Sequence, residues 1–181
     1  QLISVEVDIS PGLHLFSIVG LADKEVQESR ERIAAAIKNI GALAPHKKSQ
    51  RVIVNLAPAD IKKEGPAFDL AIALGYLLAS NQIRFDPEGK VFLGELGLDG
   101  ALREVPGVLA SALAARDAGI KEIIVPWGNG AEAALVEGLV AYEAHTITEV
   151  CDHLAARKEI AAAARPDLSS FAPPDYPMDF K

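Results

Sequence analysis

The stretch that decides the fold reads Lys62-Lys63-Glu64-Gly65-Pro66-Ala67-Phe68-Asp69, and it leads into an apolar segment at 70–79. Pro66 is well placed as the first residue of a helix, where its missing N–H is not needed and its fixed φ is already helical. A second stretch follows at 91–100, VFLGELGLDG, and Val105-Pro106-Gly107 then precedes another helical segment. The segment after Pro66 is apolar nearly all round, so we expect this helix to be buried.

This layout resembles the proteolytic domain of Lon-type proteases. In that family a Gly-Pro-Ser step carries the nucleophilic serine, and a lysine on the later helix activates it. Here the serine position is occupied by Ala67, and the lysine position, counted back from Ala118-Gly119-Ile120, is occupied by Ser111. A methyl group cannot attack a carbonyl, and a neutral hydroxyl cannot replace a lysine of lowered pKa as the base. The resemblance implies a protease scaffold, whereas the residues predict no catalytic group.

Apolar periodicity and turn residues predict the remaining elements. Residues 2–9 alternate as a half-buried strand, a Ser-Pro-Gly turn follows, and 13–19 predicts a second strand that completes a hairpin. Asp23 is placed to cap a helix that ends near Ile40. Further strands are predicted at 51–56, 122–125 and 139–143, a hairpin from 92–96 and 101–105, and helices at 108–118, 131–136 and 147–157. This order favours an α/β (α+β) fold with a mixed-sheet sandwich.

The chain has 181 residues, which is enough for one domain with a substantial core. We place that domain at 1–157 and interpret 158–181 as a Pro/Ala-rich linker, because four prolines fall in its last sixteen residues. No apolar run reaches the ~20 residues of a membrane span, so we expect no membrane contact. The single cysteine, Cys151, permits no internal disulfide, and we expect a reducing cytoplasm. The histidines lack ligand-like spacing, so we expect no metal site.

Charge is distributed unevenly along the chain. The net charge is −7, but residues 24–63 contain nine basic and four acidic side chains. This asymmetry is typical of a polyanion-binding face on an acidic body, although solvated surface gives the same pattern. Another reading is that these charges protect a Val-Ile-Val strand from aggregation. The candidate nucleic-acid-binding residues are Lys38, Lys47, Lys48, Arg51, Lys62 and Lys63.

Arg30 lies at the edge of the core-facing stripe on the first predicted helix. A guanidinium at a core boundary must be paired, because an unpaired buried charge costs several kcal/mol. We therefore expect a structural ion pair with Asp60 or Asp69, and a pre-organised contact to a phosphate or a partner is the alternative.

Four stretches carry a closer family likeness. They resemble the N-terminal, ChlI-type domain of the magnesium-chelatase-like AAA+ ATPases of the ComM/YifB type, over about residues 5–154. The stretches are FSIVGLAD at 16–23 with its continuation to 33, VNLAPADIKKEG at 54–65, LGEL at 93–96 and REVPG at 103–107.

The resemblance implies a Lon-protease-like fold, related to the ribosomal protein S5 domain 2-like sandwich, followed by an AAA+ ATPase module. That module, outside this chain, would hold ATP and Mg²⁺ and assemble as a homo-hexamer, and no cofactor is expected in the chain itself. Members of the family are associated with natural transformation and branch migration as DNA helicases. The implied role is a non-proteolytic accessory domain that contacts DNA and supports ring assembly. The alternatives are a purely structural oligomerisation domain and a residual ATP-dependent peptidase with Ser111 as nucleophile.

Overall fold

The computed structural model describes residues 1–167, in which eight strands and five α-helices alternate. The strands are β1 (Ser4–Pro11), β2 (Leu15–Val19), β3 (Gln50–Ala57), β4 (Lys90–Phe92), β5 (Glu95–Leu96), β6 (Leu102–Arg103), β7 (Glu122–Pro126) and β8 (Val140–Ala144). The helices are α1 (Lys24–Asn39), α2 (Asp69–Ala79), α3 (Val108–Asp117), α4 (Gly130–Ala133) and α5 (Ile147–Leu154). Two single 3₁₀ turns, Pro45–Lys47 and Pro66–Phe68, precede β3 and α2.

The first sheet has the order β1-β3-β2, so the predicted hairpin of 2–9 with 13–19 is wrong. β3 lies between these two strands, antiparallel to β1 and parallel to β2. Every second side chain of β3 (Val52, Val54, Leu56) is fully buried, which suits the central position. The chain reaches β3 from β2 through α1, and a crossover helix is the connection that parallel neighbours require.

The second sheet is parallel, with the order β4-β7-β8, and a short hairpin, β5-β6, stands apart from it. The predicted hairpin is confirmed only where Glu95–Leu96 pairs with Leu102–Arg103, because Phe92 belongs to β4. The Asp99 carboxylate accepts a hydrogen bond from the Ala101 N–H and closes the turn. With one mixed sheet and one parallel sheet, the predicted mixed α/β class is confirmed.

Two groups of buried side chains hold these layers together. One fills the space between the first sheet and helices α1 and α2, and the other lies between the parallel sheet and helices α3 and α4. Helix α2 lies so close to β1 that a Cβ on Gly75 would fall 2.8 Å from Val7 Cγ2. Glycine is therefore required at this crossing.

The predicted linker is described only as far as Asp167. Ala162 forms a bridge with Tyr142, and the Ala163 N–H donates to the Ala141 carbonyl at 2.8 Å. These residues therefore cover part of the free side of β8. The remainder of the predicted linker, 168–181, lies outside the described residues.

An ion pair between Arg32 and Asp69 joins α1 to α2. The Arg32 Nε and Nη2 atoms lie 2.7 and 3.1 Å from the two Asp69 carboxylate oxygens. The Leu96 N–H, on β5, donates to Asp69 Oδ2 at 3.2 Å. Burial raises the pKa of the Asp69 carboxyl, which is 1% exposed, and the bonds from Arg32 and Leu96 oppose that shift. The same carboxylate raises the pKa of Arg32.

The predicted pairing of Arg30 with Asp60 or Asp69 is therefore wrong. The Arg30 guanidinium instead donates to the backbone carbonyls of Gln27 and Phe16. Asp60 is exposed to solvent. The side of α1 that carries Arg30 faces the edge of β2, whereas Arg32 is on the side that meets α2.

We expect Arg32→Met to lower the free energy of unfolding by about 3–5 kcal/mol at pH 7, because it leaves the Asp69 carboxylate buried without its counter-charge. Without Arg32 the pKa of Asp69 rises further, so the loss should shrink as the pH is lowered and the carboxyl becomes protonated. Urea unfolding measured at several pH values gives both quantities.

The matched control is Arg30→Met, which removes only bonds to carbonyl oxygens and should cost about 1 kcal/mol. Adding Asp69→Asn to Arg32→Met should recover part of the loss, because the amide oxygen can still accept from Leu96. Equal losses for the two single variants would contradict this account of the pair.

Candidate functional site

The two stretches that define the fold are bound to each other. The Gly94 N–H donates to the Ala67 carbonyl at 3.0 Å, and the Gly94 carbonyl accepts from the Leu70 N–H at 3.1 Å. This double contact holds the Pro66–Phe68 turn against the end of β4. Ala67 is thereby placed in the wall of a cleft.

The cleft has a volume of about 950 Å³ and lies between β1, α2, β4 and α3. Ala67 and Ser111 both line it, so the structure brings together the two positions that were assigned from the sequence to the Lon nucleophile and base. The Ser111 hydroxyl donates to the Gly107 carbonyl at 3.1 Å, one helical turn back on α3. Most other lining side chains are apolar; examples are Val5, Leu74, Phe92 and Ala114.

The polar groups of the cleft do not form a nucleophile–base pair. Among the described residues that line it there is no histidine or cysteine, and the two ionisable side chains are Glu64 and Lys90. Lys90 Nζ lies 3.6 Å from a carboxylate oxygen of Glu122, and Lys62 forms an ion pair with Glu64. The methyl group of Ala67 cannot act as a nucleophile in this cleft.

The predicted basic residues separate into two groups around β3. Lys47 and Lys48 precede the strand, Arg51 lies at its start, and Lys62 follows its end; all four are exposed. At about 3.3 Å per residue, eight strand residues hold the groups roughly 25 Å apart. Because β3 is the central strand, these residues do not follow a sheet edge. Lys38, in the last turn of α1, is also exposed.

Lys63 is not available to a nucleic acid, so its prediction as a binding residue is wrong. Its side chain is 1% exposed, and its Nζ donates to the Pro58 carbonyl. Its backbone donates to Leu21 and accepts from Asp23, which fixes it beside the end of β2. Alternate side chains of an extended segment point to opposite sides, so Lys62 remains exposed while Lys63 is buried. The ion pair with Glu64 raises the pKa of Lys62.

Two surface features lie outside the candidate site residues that were predicted from the sequence. The indole of Trp127 is 55% exposed and stacks on the imidazole of His145, with ring centroids 4.5 Å apart. Four large apolar residues along β2 and its ends are also exposed: Leu13, Leu15, Val19 and Leu21. The sequence signal at 13–19 is that five of its seven residues are apolar, which suggests a strand buried on both faces.

The thiol of Cys151 is a further side chain that could act as a nucleophile, and it is buried on α5. Burial raises the pKa of its thiol to about 11. Since the thiolate is the reactive form, this thiol is largely inert at neutral pH.

No helix within residues 1–167 is long and apolar enough to cross a bilayer.

Comparison with known proteins identifies relatives of this chain. The family model described as subunit ChlI of Mg-chelatase matches residues 5–129. The chain is 40% identical to the uncharacterized protein YifB of Salmonella typhimurium over 169 residues, which are 93% of the chain and 33% of YifB. It is 39% identical to the competence protein ComM of Haemophilus influenzae over 163 residues, 90% of the chain and 31% of ComM.

A weaker match joins the chain to a protease. Lon protease 2 of Bacillus subtilis is 30% identical over 99 residues, which are 54% of the chain and 18% of the protease. This likeness is consistent with the Lon-like fold. The chain spans about a third of the length of the curated relatives that it matches most fully.

We expect no peptide hydrolysis from this chain, because neither Ala67 nor Ser111 supplies a catalytic group. Casein and short fluorogenic peptides should remain intact in its presence, and Ser111→Ala should change nothing. Hydrolysis that Ser111→Ala abolishes would overturn this interpretation.

The cleft itself can be tested by restoring the missing groups. We expect Ala67→Ser/Ser111→Lys to be labelled by a fluorophosphonate about 100-fold faster than Ala67→Ser alone, since a positioned general base contributes ~10²–10⁴-fold. Mass spectrometry of the labelled chain measures the rate. Equal labelling of the two variants would show that the cleft does not align these positions.

Proposed function

The chain belongs to the family of subunit ChlI of Mg-chelatase, and we propose that it is a non-proteolytic accessory domain of a cytoplasmic AAA+ ATPase that processes DNA. The relative called competence protein ComM supports the connection with DNA. In this proposal ATP and Mg²⁺ bind in the ATPase module, outside this chain. The domain contributes a contact to DNA and contacts within a ring, for which we propose six copies.

The proposed DNA contact rests on the cluster of Lys47, Lys48 and Arg51. These side chains are exposed and lie within five residues of one another. No ion pair within residues 1–167 engages any of the three. Cations without a competing carboxylate can contact phosphate, and sequence-independent binding to DNA needs little more than this.

The other basic residues contribute less to the proposed contact. Lys63 is buried, and Lys62 is already paired with Glu64. Lys38 remains exposed at the end of α1. We therefore assign the DNA contact to Lys47, Lys48 and Arg51, with Lys38 as a secondary participant.

A second function, assembly of copies of the chain, is favoured by a different observation. Leu13, Leu15, Val19 and Leu21 expose apolar side chains along one strand, and contiguous apolar surface of this kind marks protein contacts. Assembly and DNA contact are compatible within one ring. A residual peptidase with Ser111 as nucleophile is not supported, because the Ser111 hydroxyl donates to the Gly107 carbonyl and no histidine is among the described residues that line the cleft.

The DNA contact is tested by fluorescence anisotropy with labelled single-stranded, duplex and forked DNA at several salt concentrations. We expect binding to weaken with salt, with a slope of log affinity against log salt of about −0.9 for each phosphate contacted on duplex. The variant Lys47→Glu/Lys48→Glu/Arg51→Glu should abolish binding at moderate salt, where the unmodified protein still binds.

The matched control reverses three exposed cations elsewhere, in Arg116→Glu/Lys121→Glu/Lys158→Glu. It changes the net charge by the same amount, so it measures the effect of overall charge alone. Equal losses in the two triple variants, or no binding by the unmodified protein at low salt, would contradict a DNA site at the start of β3.

A further inference from the structure

The exposed apolar side chains on β2 define a surface that adjoins the cations assigned to the DNA contact. We name Leu13, Leu15, Val19 and Leu21 the β2 apolar face. Leu13 is 91% exposed and Leu21 is 58% exposed. A monomer seldom leaves four neighbouring large apolar residues in water without a partner that covers them.

Leu21 adds an independent sign that this surface is used. Its φ is +54°, a left-handed conformation that costs most residues with a Cβ about 1–2 kcal/mol. Glycine or asparagine would adopt this conformation at lower cost. A leucine with an exposed side chain at such a position is best explained by a contact that the side chain makes.

The backbone at the edge of β2 is not free to pair with an added strand. The carbonyl oxygens of Phe16 and Ile18 accept hydrogen bonds from Arg30 and Gln27 of α1. These side chains cover the edge that another strand would need, as proteins commonly do to prevent edge pairing. A partner therefore contacts β2 through side chains.

The surroundings of the β2 apolar face are basic. Leu15 lies opposite Arg51 in the strand register. The Gly12 N–H donates to the Ser49 carbonyl, which places Leu13 beside the loop that carries Lys47 and Lys48. An apolar centre with a charged rim is the usual anatomy of a protein interface. The complementary surface must be apolar or aromatic at its centre and acidic at its rim.

The chain itself presents such a surface at the carboxyl end of the parallel sheet. Trp127 exposes its indole there, and a Cβ on Gly128 would lie 2.4 Å from Glu104 Oε1. A Cβ on Gly130 would lie 2.3 Å from Glu143 Oε2, so the two carboxylates lie beside the loop that follows Trp127. We name Trp127, His145, Glu104 and Glu143 the Trp127 face. Residues 84–167 as a whole carry fourteen acidic and eight basic side chains.

We propose that the β2 apolar face of one copy docks on the Trp127 face of a second copy, head to tail. Two β2 apolar faces related by a two-fold axis would bring the basic rims together, which like charges disfavour. A contact between two different faces avoids this repulsion and leaves one free face of each kind, so further copies can add until a ring closes. The inference rests on the assembly role proposed above and names its surfaces.

The test uses the chain of 181 residues, so that contacts made by the proposed ATPase module do not contribute to assembly. Leu13→Asp/Leu15→Asp alters only the β2 apolar face, and Trp127→Asp alters only the Trp127 face. Light scattering after size exclusion should give the unmodified protein as an oligomer and each variant as a monomer. An equimolar mixture of the two variants should give a dimer and nothing larger, because one intact face of each kind remains.

Two further single-residue variants guard against misfolding, and a third variant is the matched control. Leu13→Asp alone and Glu104→Lys alter exposed residues and should each weaken assembly at least tenfold. Leu98→Asp changes a leucine that is also 58% exposed but lies in the β5-β6 turn, and should assemble like the unmodified protein.

Each outcome separates this inference from the assembly role. If the unmodified protein stays monomeric at all concentrations, the assembly role fails and the inference fails with it. If it assembles but the β2 and Trp127 variants assemble equally well, the inference is overturned while assembly stands. Monomeric variants that form no dimer on mixing would also overturn it, because the intact β2 apolar face of one variant would then not bind the intact Trp127 face of the other.

Discussion

The buried carboxylate of Asp69 is the constraint on which the rest of the structure depends. It lies at the start of α2 and must be neutralised there, because an unpaired charge in the interior costs several kcal/mol. Arg32 of α1 and the Leu96 N–H of β5 satisfy it, so one side chain joins elements from both halves of the chain. The position of α2, and with it the Pro66–Phe68 turn and the cleft wall at Ala67, follows from this junction.

The cleft shows that the scaffold and its chemistry are separable. The bonds between Gly94 and the turn, and the close approach of Gly75 to Val7, are backbone and packing constraints. None of these constraints requires a hydroxyl group at position 67 or an amine at position 111. The fold, and the apolar cleft between two sheets, therefore do not depend on a nucleophile and a base at these two positions.

Local elements could be predicted from the sequence, whereas their partners could not. Periodicity placed α1, α3, β3 and β7 within a residue or two of their observed bounds, because it reflects which side of an element is buried. It does not reveal which strand lies beside which, so the insertion of β3 between β1 and β2 was missed. Helical periodicity placed Arg30 at the edge of the core-facing side of α1. It does not reveal which residues of other elements lie beside that side chain. Charge counting included Lys63 because it cannot distinguish a buried lysine from an exposed one.

The charge asymmetry gains a different meaning once the side chains are placed. Among the described residues of the basic segment, Lys63 is buried, Arg32 neutralises Asp69 and Arg30 covers the edge of β2, so three cations serve the fold. The three that remain unpaired beside β3 adjoin exposed leucines, which a phosphate backbone would leave in water. An acidic surface with an exposed indole would cover those leucines and also offset the charge. The proposed DNA contact accounts for the cations alone, and the proposed contact with a second copy of the chain accounts for the leucines beside them.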